Sequence, residues 1–242
     1  MPAPRRAALA SFLLAAAFPS LLTWLYYDAL SPQPTAMKQA VFFVGKLVQF
    51  SFPLVWAFGV ERRDPAQLRQ AARRLHGAGW WFGLVFGLLI LAVMLAGYHL
   101  WLKPAGLMQP VAEVLRPKLA GFGIGGPASY FLLAVFYCVA HSGLEEYYWR
   151  WFVFGQTQRL MRLWPAIVLA SLAFMAHHIV VLSVLFGAGS PITWLFSLAV
   201  AVGGGVWAWL YARTGSLYGA WLSHALADAG IFLVGWDLLQ TM

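Results

Sequence analysis

The chain has 242 residues, of which 62% are hydrophobic and only 10% are charged. Soluble domains carry roughly 25% charged residues, so this composition excludes a soluble domain and indicates an integral membrane protein. The formal net charge of +8 does not indicate nucleic-acid binding, because the basic residues cluster in short loops between apolar runs. The single cysteine, Cys138, excludes an internal disulfide and a multi-cysteine metal site.

Seven apolar stretches predict membrane-spanning helices, because about 20 residues of helix cross the hydrocarbon core. They lie at about 7–28, 39–60, 79–102, 127–154, 164–186, 191–212 and 216–236. The apolar run of the first is too long for a signal peptide, so we expect an uncleaved helix. The stretch 105–125 predicts a loop with a short interfacial helix, with an eighth membrane-embedded segment as the alternative. We therefore predict an all-α, polytopic transmembrane helical bundle that forms one integral membrane domain over residues 1–242.

Lysine and arginine predict the orientation of this bundle. With the N-terminus inside, eleven basic residues lie on the cytoplasmic side and four outside. This asymmetry predicts a cytoplasmic N-terminus, and we expect a protein of the bacterial inner (cytoplasmic) membrane. The segment 61–77 predicts an amphipathic helix on the inner surface.

Three groups of ionisable residues interrupt the apolar spans. The first runs from Glu145-Glu146 to Arg150, the second contains His177-His178, and the third runs from His224 to Asp228. A charged side chain in a membrane helix costs at least ~2.5–3.5 kcal/mol, so such residues predict a functional site in the protein interior. From the predicted helix ends and the rise of ~1.5 Å per residue, Glu145, His178 and His224 lie roughly 15, 21 and 12 Å from the cytoplasmic ends of their helices. All three groups are therefore expected in one layer.

Helical spacing predicts which side chains are neighbours, because residues three or four apart share a helix face. Glu146 is then next to Arg150, which predicts a salt bridge between them. Glu145 points to a different face and can have another role. His141 shares a face with Glu145. His224 likewise shares a face with Asp228.

One carboxylate and two histidines in a buried pocket suit hydrolysis. A buried glutamate can act as a general base toward water, and a histidine can stabilise the oxyanion that forms when water attacks an amide. The same residue types could instead bind zinc, which would activate the water. No His-Glu-x-x-His signature of the standard zinc proteases is present in the sequence. These residue types alone leave both mechanisms open.

The ordered motifs Glu145-Glu146-x-x-x-Arg150, Phe174-x-x-x-His178 and His224-x-x-x-Asp228 resemble those of the CPBP family of intramembrane proteases, which includes CAAX proteases and bacteriocin-processing enzymes. The resemblance covers about residues 130–230, within a protease core of about 127–236. It implies that Glu145 activates water with His178 as its partner, and it favours His178 over His177. It also implies that His224 and Asp228 stabilise the oxyanion, although many members have Asn where this chain has Asp228. Glu146 and Arg150 would support the site.

The resemblance therefore implies an intramembrane endopeptidase that hydrolyses a peptide bond of a membrane-associated protein or peptide. No cofactor is required by a glutamate-type mechanism, whereas a metal-dependent one would place zinc on Glu145, His178 and His224. Two other classes remain as alternatives. One is a non-catalytic membrane scaffold or immunity protein on the same fold, and the other is a proton-coupled transporter. The expected partners are the lipid bilayer and a membrane-associated substrate, without nucleic acid.

Overall fold

The computed structural model of the protein describes residues 3–64 and 79–240, and within these ranges it contains helices and connecting turns but no β-strand. Among the described residues, seven helices are long and apolar enough to cross a membrane, and a shorter helix, α4, covers Gln109–Gly121. The seven are α1 (Arg5–Ala29), α2 (Thr35–Val60), α3 (Gly79–Leu102), α5 (Pro127–Leu160), α6 (Leu163–Phe186), α7 (Pro191–Thr214) and α8 (Tyr218–Gln240). The predicted all-α fold with seven spans is confirmed.

Three predictions about individual helices can be compared with the described residues. The 13 residues of α4 extend only about 20 Å, which is too short for a hydrocarbon core of about 30 Å. The described residues therefore do not include an eighth span at 105–125. Helix α5 continues to Leu160, six residues beyond its predicted end. Most of the amphipathic helix predicted at 61–77 lies outside the described residues.

Local sequence explains where several helices begin and end. Proline occupies the first turn of α5 and of α7, where its missing N–H is not needed. Ser190 caps α7, because its hydroxyl accepts a hydrogen bond from the backbone N–H of Ile192. Helix α7 ends at Gly215, whose φ of 66° is the left-handed conformation that glycine adopts at helix ends.

Helix α5 contains two π-helical stretches, Phe136–His141 and Tyr147–Phe154. Between them lies one α-helical turn, Ser142–Glu146, which carries both glutamates of the first motif. π-Helical turns are rare and often occur at functional sites, because they change which side chains share a face of the helix. The glutamate pair therefore lies where the helix geometry changes twice within a few residues.

The chain forms two compact units. The first consists of the described parts of 1–76 and 147–217, so it contains α1, α2, the second part of α5, α6 and α7. In this unit α6 packs along α7, and α1 packs against α6 and the end of α5. The second consists of the described parts of 77–146 and 218–242, and in it α3 packs along α8. The chain passes from the second unit to the first between Glu146 and Tyr147.

Glycines allow the close helix packing in each unit. In the second unit, a Cβ added at Gly83 would lie 2.1 Å from the backbone oxygen of Gly219, and one at Gly87 would lie 2.9 Å from the Cα of Ser223. Only glycine allows α3 to approach α8 this closely. In the first unit, a Cβ at Gly204 would lie 3.0 Å from the ring of Phe174. Glycine therefore permits close helix packing at Gly83 and Gly87 of α3 and at Gly204 of α7.

Candidate active site

In the second unit, three carboxylates surround one imidazole. Nδ1 of His224 lies 2.8 Å from Oε1 of Glu146, within hydrogen-bond distance. Nε2 of the same ring lies 3.7 Å from Oε2 of Glu145 and 3.8 Å from Oδ1 of Asp228. We call these four residues the His224 cluster. Glu145, Glu146 and His224 are each 5% exposed or less, and Asp228 is partly exposed.

The hydrogen bond to Glu146 determines which imidazole nitrogen is available for chemistry. An ionised carboxylate only accepts, so Nδ1 of His224 carries the proton that it donates to Glu146. Nε2 then faces Glu145 and Asp228. A histidine held by a carboxylate on one nitrogen presents the other in a fixed direction to a proton, an oxyanion or a metal ion.

Helix α8 is attached to α5 one turn before the cluster. The indole N–H of Trp221 lies 2.9 Å from the backbone oxygen of Val139 and 3.1 Å from Oγ of Ser142. Ser142 donates its own hydroxyl proton to the backbone oxygen of Cys138. Trp221 precedes His224 by three residues, and Ser142 precedes Glu145 by three. These contacts hold α8 against the turn of α5 that carries the glutamates.

His141 also approaches the cluster. Its Nε2 lies 3.9 Å from Oε1 of Glu145, one helical turn away on α5. The ring of Tyr137 lies against His141, with the ring centroids 4.7 Å apart. The predicted sharing of a face by His141 and Glu145 is confirmed, and it gives Glu145 a histidine on each side.

In the first unit, the second motif places its histidines among aromatic rings. Nδ1 of His178 lies 3.0 Å from the backbone oxygen of Phe174. A carbonyl only accepts hydrogen bonds, so this contact requires the proton on Nδ1 and leaves the lone pair on Nε2. His177 is buried and stacks parallel to Trp149, with the ring centroids 5.5 Å apart. The contact to Phe174 therefore gives His178 the tautomer that a water-binding or metal-binding residue needs.

Arg150 lies in the same unit and is 1% exposed. Its guanidinium carbon is 4.6 Å from the ring centroid of Phe174 and 5.2 Å from that of Trp207. Cation–π contacts of this kind stabilise a charge that is removed from water. Arg150 therefore packs against Phe174, the residue that begins the second motif.

The structure brings together four of the six predicted site residues in the second unit: Glu145, Glu146, His224 and Asp228. His178 and Arg150 belong to the first unit. The salt bridge between Glu146 and Arg150, and the meeting of His178 with Glu145, stay predictions.

Sequence reasoning missed the direct contact of Glu146 with His224 and the role of Trp221 in attaching α8. The signal for Trp221 was its spacing of three residues from His224, which places both on one face of α8.

These features define a class: an integral membrane protein whose apolar helices enclose a histidine among buried carboxylates. Residues 127–230 match the family model described as "Type II CAAX prenyl endopeptidase Rce1-like". This segment of the chain is thus Rce1-like, and the predicted resemblance to CAAX proteases is confirmed. No curated protein and no solved structure matches the chain.

Proposed function

We propose that this protein is an intramembrane endopeptidase that hydrolyses a peptide bond of a membrane-associated protein or peptide. The His224 cluster carries the proposal, because it concentrates carboxylates and an imidazole inside helices that are otherwise apolar. Such groups are costly in a bilayer and are retained where they have a function. The family match over residues 127–230 supports peptide hydrolysis over other reactions.

In this mechanism Glu145 is the general base. It removes a proton from water while the water oxygen attacks the carbonyl carbon of the substrate, and it later passes that proton to the leaving amine. His224 acts in its doubly protonated form: Nδ1–H is held by Glu146, and Nε2–H donates a hydrogen bond to the oxyanion. His178 binds the water through Nε2, whose lone pair is left available by the contact of Nδ1 with Phe174.

Asp228 has a different position from the one expected for a hydrogen-bonded partner of His224. Its nearer oxygen lies 3.8 Å from Nε2, beyond hydrogen-bond distance. The other oxygen, Oδ2, is buried and has no hydrogen-bond partner among the described residues. In the proposed mechanism Asp228 therefore binds an N–H of the substrate through Oδ2.

The donor set of the cluster also fits a zinc ion. Zinc binds imidazole and carboxylate at about 2.0–2.2 Å, so two of its ligand atoms can lie about 3.5 Å apart, and Oε2 of Glu145 and Nε2 of His224 are separated by 3.7 Å. Glu145, His178 and His224 would hold the ion, with Glu146 as the carboxylate that orients His224. When bound, zinc would lower the pKa of its water and polarise the substrate carbonyl.

The substitution Glu145→Gln tests the proposal. It keeps the size of the side chain and removes the base, so we expect kcat to fall by about 10²–10⁴-fold with KM within threefold. The assay follows cleavage of a farnesylated peptide with a CAAX terminus, and of unmodified apolar peptides, by mass spectrometry with protein in nanodiscs. Glu113→Gln, an exposed position on α4, is the matched control. Undiminished cleavage by Glu145→Gln would reject Glu145 as the base.

Four further measurements separate the alternatives. Zinc near one ion per chain, lost in His224→Ala, would establish the metal-dependent mechanism, whereas full activity after chelation with no zinc present would establish the glutamate type. Growth complementation by a Glu145→Ala protein would indicate a non-catalytic scaffold or immunity protein. Solute uptake into proteoliposomes would indicate a proton-coupled transporter.

A further inference from the structure

Gln49 lies within the membrane-spanning helix α2 and is 1% exposed. Neither its amide nitrogen nor its amide oxygen has a hydrogen-bond partner among the described residues. A buried amide without partners is destabilising, and a polar residue inside a membrane span is by default part of a functional site. The first unit therefore holds a donor and an acceptor that its own described residues do not use.

Gln49 lines a cavity of about 120 Å³, which we call the Gln49 cavity. Its other walls come from Leu14, Ala15 and Phe18 of α1, Val48 and Phe52 of α2, and Tyr148 of α5. The Tyr148 hydroxyl donates to the backbone oxygen of Ala15 at 2.8 Å, so that donor is already used.

The rim of the cavity includes Leu14, which is 56% exposed, and Val48, which is 50% exposed. Both residues belong to apolar spanning helices. An occupant that reaches the cavity past these two side chains would therefore come from the membrane.

Size and chemistry restrict that occupant. Drug-sized ligands need pockets of roughly 300–1,000 Å³, so the Gln49 cavity has room for one side chain or one peptide group rather than for a whole lipid or cofactor. A carboxamide both donates and accepts, and a peptide group presents the matching N–H and C=O. In hydrocarbon each unsatisfied peptide N–H or C=O costs several kcal/mol. A segment that leaves the helical conformation for cleavage needs such a partner.

We propose that the Gln49 cavity binds an apolar, extended segment of the substrate, with the Gln49 amide paired to one peptide group. The inference rests on the proposed peptidase function. Tyr148, which forms one wall, follows Glu145 by three residues in the chain. Gln49 is a positioning residue: it holds the unwound segment while other groups perform the chemistry.

The first experiment compares stability with kinetics in Gln49→Leu. This substitution removes an unsatisfied buried amide, so we expect the Tm in detergent to rise by a few degrees. Loss of two hydrogen bonds to the substrate should raise KM for the cleaved peptide about tenfold and leave kcat within threefold. Ser51→Ala, at an exposed position of the same helix, should change neither. A lower Tm would overturn the proposal, because it would show that the Gln49 amide stabilises the fold. An unchanged KM would also overturn it, because the amide would then hydrogen-bond only to an enclosed water.

The second experiment measures binding without cleavage. A photoreactive benzoylphenylalanine replaces Val48 in the Glu145→Gln protein, in nanodiscs. The probe is a dye-labelled, 20-residue Leu/Ala peptide with a central Gly-Pro break, and the same peptide without the break is the control. We expect crosslinks to the broken peptide only, reduced at least fivefold by Gln49→Leu. Crosslinks to lipid alone, or crosslinks that Gln49→Leu leaves unchanged, would overturn the inference. Crosslinking of a peptide that the wild-type protein never cleaves would reject the peptidase function and retain the binding site.

Discussion

His224 lies within hydrogen-bond distance of Glu146, and Nε2 of the same ring lies farther from Glu145 and from Asp228. The separation is 2.8 Å for Glu146, against 3.7 Å for Glu145 and 3.8 Å for Asp228. A carboxylate bound to Nδ1 holds the imidazole ring, whereas the more distant acids face the nitrogen that is left for chemistry. The two adjacent glutamates therefore lie at different nitrogens of the ring, which agrees with the separate roles that the proposed mechanism gives them.

Substitution of Glu146 tests this division of tasks. Glu146→Gln keeps an oxygen that can accept from Nδ1, whereas Glu146→Ala leaves the buried imidazole without this acceptor. We expect kcat to fall less than tenfold in the first variant and about 10²-fold in the second, with KM within threefold for both, because loss of a hydrogen bond to a charged group costs about 1.5–3 kcal/mol. The measurement is the kinetics of peptide cleavage. Equal losses of kcat in the two variants would contradict a purely orienting role.

Glu61, at the end of α2, stabilises the first unit through its charge. Burial tends to raise the pKa of its carboxyl, but hydrogen bonds from Gln156 and Arg159 and the charge of Arg63 outweigh burial and lower the pKa below its ordinary value. A carboxylate with a lowered pKa in the folded state contributes stability above the pKa of the unfolded chain. That contribution is lost as the pH falls through the folded value.

We therefore expect Glu61→Gln to lower the Tm at pH 7 by roughly 2–4 °C, which corresponds to about 1 kcal/mol for partly exposed arginine partners. The difference from the wild type should be constant above about pH 5 and should shrink below about pH 4, where the wild-type carboxyl takes up its proton. Differential scanning fluorimetry in detergent from pH 3 to pH 8 measures it. If the difference in Tm between the variant and the wild type is the same at pH 3.5 and at pH 7, the charge of Glu61 is not the source of its contribution to stability.

At the scale of the helices, the close contact of α3 with α8 supports the helix that carries His224. Leu in place of Gly83 would meet the backbone of Gly219, which cannot move aside as a flexible side chain can. We expect Gly83→Leu to cost about 3 kcal/mol, to lower the Tm by roughly 6–12 °C and to reduce kcat. Gly97→Ala is the control on the same span, because nothing lies within 4 Å of an added Cβ there. Equal Tm values for the two variants would contradict the packing argument.

The helices could be predicted from sequence because an apolar run of about 20 residues has few other structures open to it. The contact of Glu146 with His224 could not be predicted from the sequence. A uniform 3.6-residue period predicts only which residues of one helix are neighbours, such as Glu146 and Arg150. It gives no sign of the π-helical stretches that flank the glutamates. The buried amide of Gln49 is a further case. A single glutamine in an apolar run can face lipid, a partner helix or a cavity, and only packing decides which.

For the whole molecule, the contacts between helix ends within each unit agree with the predicted topology. In the first unit, Arg5 at the start of α1 donates to the backbone oxygen of Leu160 at the end of α5. Glu61 at the end of α2 binds Arg159 near the same end of α5. In the second unit, Lys103 after α3 pairs with Asp237 near the end of α8.

With the N-terminus inside, the start of α1 and the ends of α2 and α5 are all cytoplasmic, and the ends of α3 and α8 are all external. The contacts within each unit are thus consistent with strict alternation of the seven spans. Of the eleven basic residues assigned to the inner side, Arg150 is buried within the span α5, and the other ten favour the same orientation.

This topology predicts that the two termini lie on opposite sides of the membrane, because seven is an odd number of spans. Alkaline phosphatase, which folds only outside the cytoplasm, should be active when fused after Met242 and inactive when fused within 65–78. A fluorescent protein that folds in the cytoplasm should give the reverse pattern. Two variants test whether basic residues set the orientation. Replacing the arginines at 62, 63, 69, 73 and 74 by glutamine should reduce the fraction of protein in the predicted orientation. Replacing Lys103 and Lys118 by glutamine should not. Phosphatase activity at both positions would mean that the number of spans is not seven. Activity only within 65–78 would mean that the charge asymmetry does not set the orientation.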